Sequence, residues 1–78
     1  MKTLADAKNG KYVYILDYQR FVPLKIKRRL LELGLTQGQK VKVVRRSVLG
    51  KAYLIEVRGY TLSLRKSLAS FVLVGELL

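Results

Sequence analysis

Between Pro23 and Val41 the chain reads PLKIKRRLLELGLTQGQKV, and the period of its apolar positions changes once within that stretch. Ile26, Leu30 and Leu33 recur at i, i+4 and i+7, one narrow stripe of a helical wheel, which predicts a short helix. Pro23 suits the first helical position, where its missing N–H would be unpaired anyway. Gly34 follows the last residue of the stripe and is placed for a left-handed cap, after which Leu35 can fold back on the last turn. Thr36-Gln37-Gly38 predicts a second reversal. Lys40-Val41-Lys42-Val43 then alternates with the two-residue period of a strand.

The flanking segments carry strand patterns. Thr3 can cap a single turn through Ala7, with Leu4 as its large buried contact, and Asn9-Gly10 signals a turn. Lys11 to Asp17 is rich in aromatic and β-branched residues and predicts the first strand, with Val13 and Ile15 inward and Tyr12, Tyr14 and Leu16 outward. Tyr18 to Val22 is read as a linker into the helix. The second strand is predicted over Lys40 to Arg46, with a bulge near Val44 where the alternation breaks. Ser47 to Lys51 is a hairpin loop pivoting on Gly50. Ala52 to Arg58 is a third strand that buries Tyr53, Ile55 and Val57. A reversal at Gly59-Tyr60 leads into a fourth strand, Thr61 to Arg65, with Leu62 and Leu64 inward. Lys66 to Ser70 is a polar turn, and Phe71 to Val74 is a last strand before Gly75-Glu76-Leu77-Leu78. Five short strands joined mostly by tight glycine turns predict a small closed barrel, since closure removes exposed sheet edges. The helix falls in the connection between strands one and two, and the chain is read as a single domain over residues 1–78.

Composition narrows the chemistry. The 78 residues contain neither cysteine nor histidine, which excludes a disulfide framework and the thiolate and imidazole ligands of zinc and iron sites. Met1 to Asp6 lacks the apolar segment of a signal peptide. No apolar run approaches the ~20 residues that span a bilayer. An intracellular protein without a membrane span is expected. The five acids, Asp6, Asp17, Glu32, Glu56 and Glu76, lie in different elements, and no serine has a histidine to activate it. No enzyme, no cofactor and no metal site of its own is expected.

Sixteen Lys and Arg against five acids give a formal charge of +11, a field that favours anionic partners or simply keeps the protein in solution. Lys25, Lys27, Arg28 and Arg29 crowd the helix, while Lys40, Lys42, Arg45 and Arg46 crowd strand two. These are either a solvated face or a track for a phosphate backbone, for which Tyr12, Tyr14, Tyr18, Tyr53 and Tyr60 are available as stacking partners, Tyr53 being expected to point into the core. Leu24 and Leu31 lie one heptad apart, roughly 120° or more from the core stripe at about 100° per residue. Either the Tyr18–Val22 loop covers them, or they are an exposed face flanked by Lys27 and Arg28 that awaits a partner.

The ordered set Arg29-Leu30-Leu31-Glu32-Leu33-Gly34-Leu35, Gly38 and Val41-Lys42-Val43-Val44 resembles the RL-x-x-LGL-x-x-G-x-x-V-x-V core of the FeoA family. Leu4, Gly10, Val57-Arg58-Gly59 and Leu62-Ser63-Leu64-Arg65 extend the likeness over essentially the whole chain. The resemblance implies a mainly β, SH3-like barrel with one helix inserted after the first strand. It further implies a small cytoplasmic accessory protein of bacterial ferrous iron uptake, working at the inner face of the membrane with an FeoB-type permease. A similar domain ends some metal-dependent repressors. Family descriptions often include transition-metal binding, which a chain without His or Cys does little to support. Arg29, Leu30, Leu33, Gly34, Leu35, Gly38 and Gly59 then read as mostly architectural. The residues expected to make partner contacts are Leu24, Lys27, Arg28 and Leu31 on the outer helix, with Lys42 and Arg46 beside them. Self-association, a nucleic-acid or ribosomal partner, and attraction to anionic lipid are the alternatives.

Overall fold

The structure is a computed structural model that describes residues 2–47 and 49–76. Met1, Val48 of the predicted hairpin loop, and Leu77-Leu78 of the tail lie outside the described residues. A short 3-10 helix, Leu4–Asp6, precedes β1 (Tyr12–Tyr18), α1 (Leu24–Glu32), β2 (Lys40–Arg46), β3 (Ala52–Val57), β4 (Tyr60–Arg65), α2 (Lys66–Ala69) and β5 (Val72–Glu76). The strands form one antiparallel sheet in the order β4-β3-β2-β1-β5. The mainly β architecture with its helix between strands one and two is therefore as expected.

Alternation along the strands fills the interior. Val13, Ile15, Val41, Val43, Tyr53, Ile55, Val57, Leu64, Val72 and Val74 are buried together with Leu4, Leu30 and Leu35, and Ile26, Leu33 and Leu62 pack against them. Where the alternation fails, the ladder is bulged. One shift falls between Val43 and Arg45, at the predicted position. A second, between Ile15 and Asp17, was not foreseen. It leaves Leu16 outside and turns Tyr18 inward as the last residue of β1. Tyr18 is thus a core side chain rather than part of a linker.

Several boundaries differ from expectation for local reasons. Pro23 is the residue before the helix: its ψ of 139° is extended, while its carbonyl already accepts the first helical bond from the Lys27 N–H at 2.9 Å. The β3–β4 reversal is a two-residue turn at Arg58-Gly59, both with positive φ, and Tyr60 already pairs with Val57. That geometry matches the right-handed twist of the flanking strands. The last strand runs one residue later in its start and extends to Glu76.

Closure is achieved by packing rather than by a continuous ladder. No pairing joins β4 to β5 among the described residues. Instead α2 connects them and packs on β4 and the 3-10 helix. The outer edge of β5 is covered by the N-terminal segment, through the Thr3–Leu73 bridge and the bond from the Val74 N–H to the Lys2 carbonyl at 3.0 Å. Lys2 Nζ also meets Glu76 Oε1 at 2.7 Å, and this ion pair holds the Glu76 carboxyl below its ordinary pKa.

Candidate interaction surface on helix α1

The outer face of α1 is fixed by how its C-terminus ends. The Gly34 N–H bonds to the Leu31 carbonyl at 3.0 Å and the Leu35 N–H to the Leu30 carbonyl at 3.1 Å. This paired arrangement requires a left-handed residue, and Gly34 supplies it with φ of 92°. Thr36-Gln37-Gly38-Gln39 then reverses the chain, with Gly38 at φ 84° and the Gln39 N–H bonded to the Thr36 carbonyl at 3.0 Å.

Side chains from three other elements hold that corner. The Tyr60 hydroxyl of β4 donates to the Leu33 carbonyl, and the Tyr18 hydroxyl of β1 donates to the Leu35 carbonyl. Arg58, from the β3–β4 turn, donates through Nε to Gln39 Oε1 at 3.0 Å and lies against Gly34. The Leu33 carbonyl, which the helix end leaves without a partner, is thereby satisfied. Burial pushes the Tyr18 phenol above its ordinary pKa, and the nearby Asp17 charge adds to that effect.

With Leu30 wholly buried and Ile26 and Leu33 half-buried, the opposite side of α1 faces solvent. Leu24 is 66% exposed and Leu31 is 40% exposed, so the Tyr18–Val22 loop does not cover them. Leu24, Lys27, Arg28 and Leu31 follow the i, i+3, i+4, i+7 spacing that places residues along one helical face. Arg28 is exposed, whereas Lys27 is half-buried, with its ammonium 5.7 Å from the centre of the Tyr18 ring. Leucines left in water beside two cations make a face suited to a surface that is part apolar and part acidic.

Reading the sequence as a linker before the helix missed Phe21, which is 73% exposed and makes an edge-on contact with Phe71 at 6.2 Å between ring centres. Its signal was its position three residues before Leu24, which extends the outer leucine pattern past the helix start. Lys42 and Arg46, expected beside the helix, each line a hollow on the sheet. Lys42 shares a hollow with Tyr12, Gln39, Lys40, Glu56 and Arg58, while Arg46 stands over the Tyr53 ring at 5.3 Å. Neither the Lys42 hollow nor the hollows that Arg46 lines include a residue of α1.

The donor set does not suit a first-row transition metal. The chain has no His or Cys, and among the described residues no group of three or more acidic side chains is placed to hold an ion. Asp6 accepts from the Thr3 N–H at 3.0 Å and from its hydroxyl at 3.2 Å, bonds that lower its pKa, led by the backbone one. Asp17 accepts from the Tyr18 N–H at 2.8 Å. No helix is long and apolar enough to cross a membrane among the described residues.

Known structures share this arrangement. The FeoA protein of Chlorobium tepidum is 28% identical with a TM-score of 0.88, over 99% of this chain and 71% of that one. A FeoA-like protein of Clostridium acetobutylicum is 27% identical with a TM-score of 0.86, over 100% and 92% of the two chains. The FeoA protein of Stenotrophomonas maltophilia, solved with zinc, is 28% identical with a TM-score of 0.82, over 96% and 91%. It is described as a prokaryotic SH3 domain protein and a candidate activating factor of bacterial ferrous iron transport. No curated protein matches the sequence. The FeoA domain family matches residues 2–76, and the helix, its glycine cap and the SH3-like sheet just described are what that match spans: the chain belongs to the FeoA family.

Proposed function

We propose that this protein is an accessory factor of ferrous iron uptake that works by docking, not by turnover, on the soluble cytoplasmic part of an FeoB-type permease. Iron is the permease's cargo and touches no residue of this chain in that scheme. The exposure of Leu24 and Leu31 on the helix that bears the family's motif carries the reading. Burying two leucines at the centre of an interface supplies apolar contact, while Lys27 and Arg28 at its margin favour an acidic partner and steer its approach. The description of the Stenotrophomonas relative as a candidate transport activating factor supports the same role. The corner tied by Tyr18, Tyr60 and Arg58 presents the helix on a rigid base, which lowers the entropic cost of docking. The protein then acts at the inner face of the membrane, where the permease's soluble domain is reached.

Calorimetry of this chain with the permease's soluble domain tests it. Leu24→Asp and Leu31→Asp should each weaken binding at least about tenfold, as expected for central apolar contacts. The thermal unfolding midpoint should stay close to that of the parent, because both side chains are already in solvent. Binding that survives both substitutions would remove the outer helix from the interface.

A further inference from the structure

We propose that the outward face of β1, β2 and β3 is a second binding surface, one that takes single-stranded nucleic acid. It is remote in function from the helix face, and it accounts for charge that permease docking leaves without a role. Register creates it. Tyr12 pairs directly with Lys42 and Tyr14 with Lys40, so two tyrosines and two lysines share the face turned away from the core.

The rings are accessible, Tyr12 at 39% and Tyr14 at 38% exposure. The Lys40 and Lys42 ammonium groups lie 4.6 and 5.6 Å from the centre of the Tyr12 ring. Arg45 opposite Leu54, and Arg65 opposite Ala52, extend the basic character along the same face, against the carboxylates of Glu56 and, at the far end of β1, Asp17. Beside Tyr14 the β5 partner is Gly75, and the Leu16 side chain of β1 packs over that glycine.

This combination matches what a single strand requires. Bases with a free face stack on aromatic side chains while cations follow the phosphates, and the affinity tolerates sequence. Residues two apart on one strand sit about 6.6 Å apart and point the same way, so successive unstacked bases meet one ring each, at Tyr12 by displacing the lysine ammonium that lies over it. A duplex keeps its bases stacked within the helix and presents only phosphate to such a face. An anionic membrane would draw instead on the most exposed apolar side chains. Phe21, Leu24 and Leu49 are those side chains, and none of them lies on this face.

Fluorescence anisotropy of the full chain with labelled oligothymidine and oligouridine of about 12 nucleotides, a length within single-strand site sizes, provides the test. Titrations between about 50 and 200 mM salt give the slope of log Kd on log salt. Tyr12→Leu and Tyr14→Leu should each weaken binding at least about fivefold without changing that slope, the low end of one lost base stack. Lys40→Ala with Lys42→Ala should reduce the slope by about 1.4, the loss of two phosphate contacts on a single strand. The charge-matched pair Arg20→Ala with Lys25→Ala should leave it unchanged. Either oligomer bound in this way supports the proposal, and circular dichroism confirms that each variant is folded. Four results would overturn it: no binding at low salt, tyrosine variants that bind like the parent, an equal slope change from the control pair, or preference for a duplex or for vesicles of anionic phospholipid.

Discussion

Replacing Gly34 with alanine probes the corner that presents the helix. Gly34 is buried, with φ of 92°, and a Cβ placed there would sit 3.0 Å from the Tyr60 hydroxyl. Two costs combine. The left-handed backbone disfavours an L side chain by about 1–2 kcal/mol. Making room for the methyl group displaces the Tyr60 hydroxyl by a few tenths of an ångström, which costs at most the worth of its hydrogen bond to the Leu33 carbonyl, about 0.5–1.5 kcal/mol. The sum is at most about 3.5 kcal/mol, or roughly 20 °C in the unfolding midpoint for a domain of this size. Gly38 is the internal reference, because its φ is 84° and nothing lies within 4 Å of its would-be Cβ. Gly38→Ala should therefore cost only the backbone part, about 1–2 kcal/mol. Urea denaturation of both variants, alone and with Tyr60→Phe, closes a double-mutant cycle. With the hydroxyl removed, the penalty for Gly34→Ala should fall to that for Gly38→Ala, a coupling of about 1 kcal/mol. Equal costs at the two glycines in the parent, or additivity of Gly34→Ala with Tyr60→Phe, would refute the reasoning.

Other substitutions separate the inner and outer sides of the same elements. Leu30→Ala should destabilise by about 2–5 kcal/mol, because the side chain is wholly buried, whereas Leu24→Ala should stay within about 0.5 kcal/mol; urea titration measures both. The Tyr53 hydroxyl donates to the buried Ala5 carbonyl at 2.6 Å, so Tyr53→Phe should cost about 1–3 kcal/mol by leaving that acceptor unsatisfied and should speed amide exchange at Asp6 and Ala7. Because the folded state raises the Tyr18 pKa above its ordinary 10.0, the folded chain holds that proton more tightly than the unfolded one. The associated stability is full below about pH 10 and is lost as pH rises through the folded value. Thermal melts taken across that range should decline more steeply for the parent than for Tyr18→Phe.

How much of the fold could be read ahead depended on how local its cause was. The Ile26–Leu30–Leu33 stripe, the Gly34 cap, the Val44 irregularity and the glycine turns each arise from residues a few positions apart. The bulge at Leu16 did not announce itself, because Tyr18 fits a linker as well as an inward strand position until β5 pairs with β1. The site divided the same way: Leu24, Lys27, Arg28 and Leu31 share a face by helical geometry alone, whereas Phe21 emerged only once the chain before the helix was placed.

By itself the sequence determined a short capped helix between strands, an excess of positive charge, and the lack of imidazole and thiolate ligands. Those properties follow from residue type and from contacts within a turn or two. The tertiary structure decided which side of α1 remains in water, that Lys42 shares a hollow with Gln39 and Arg58, and that Lys40 and Lys42 stand opposite Tyr14 and Tyr12. Strand register joins segments far apart in the chain, and a shift of one residue would turn every such side chain to the other face.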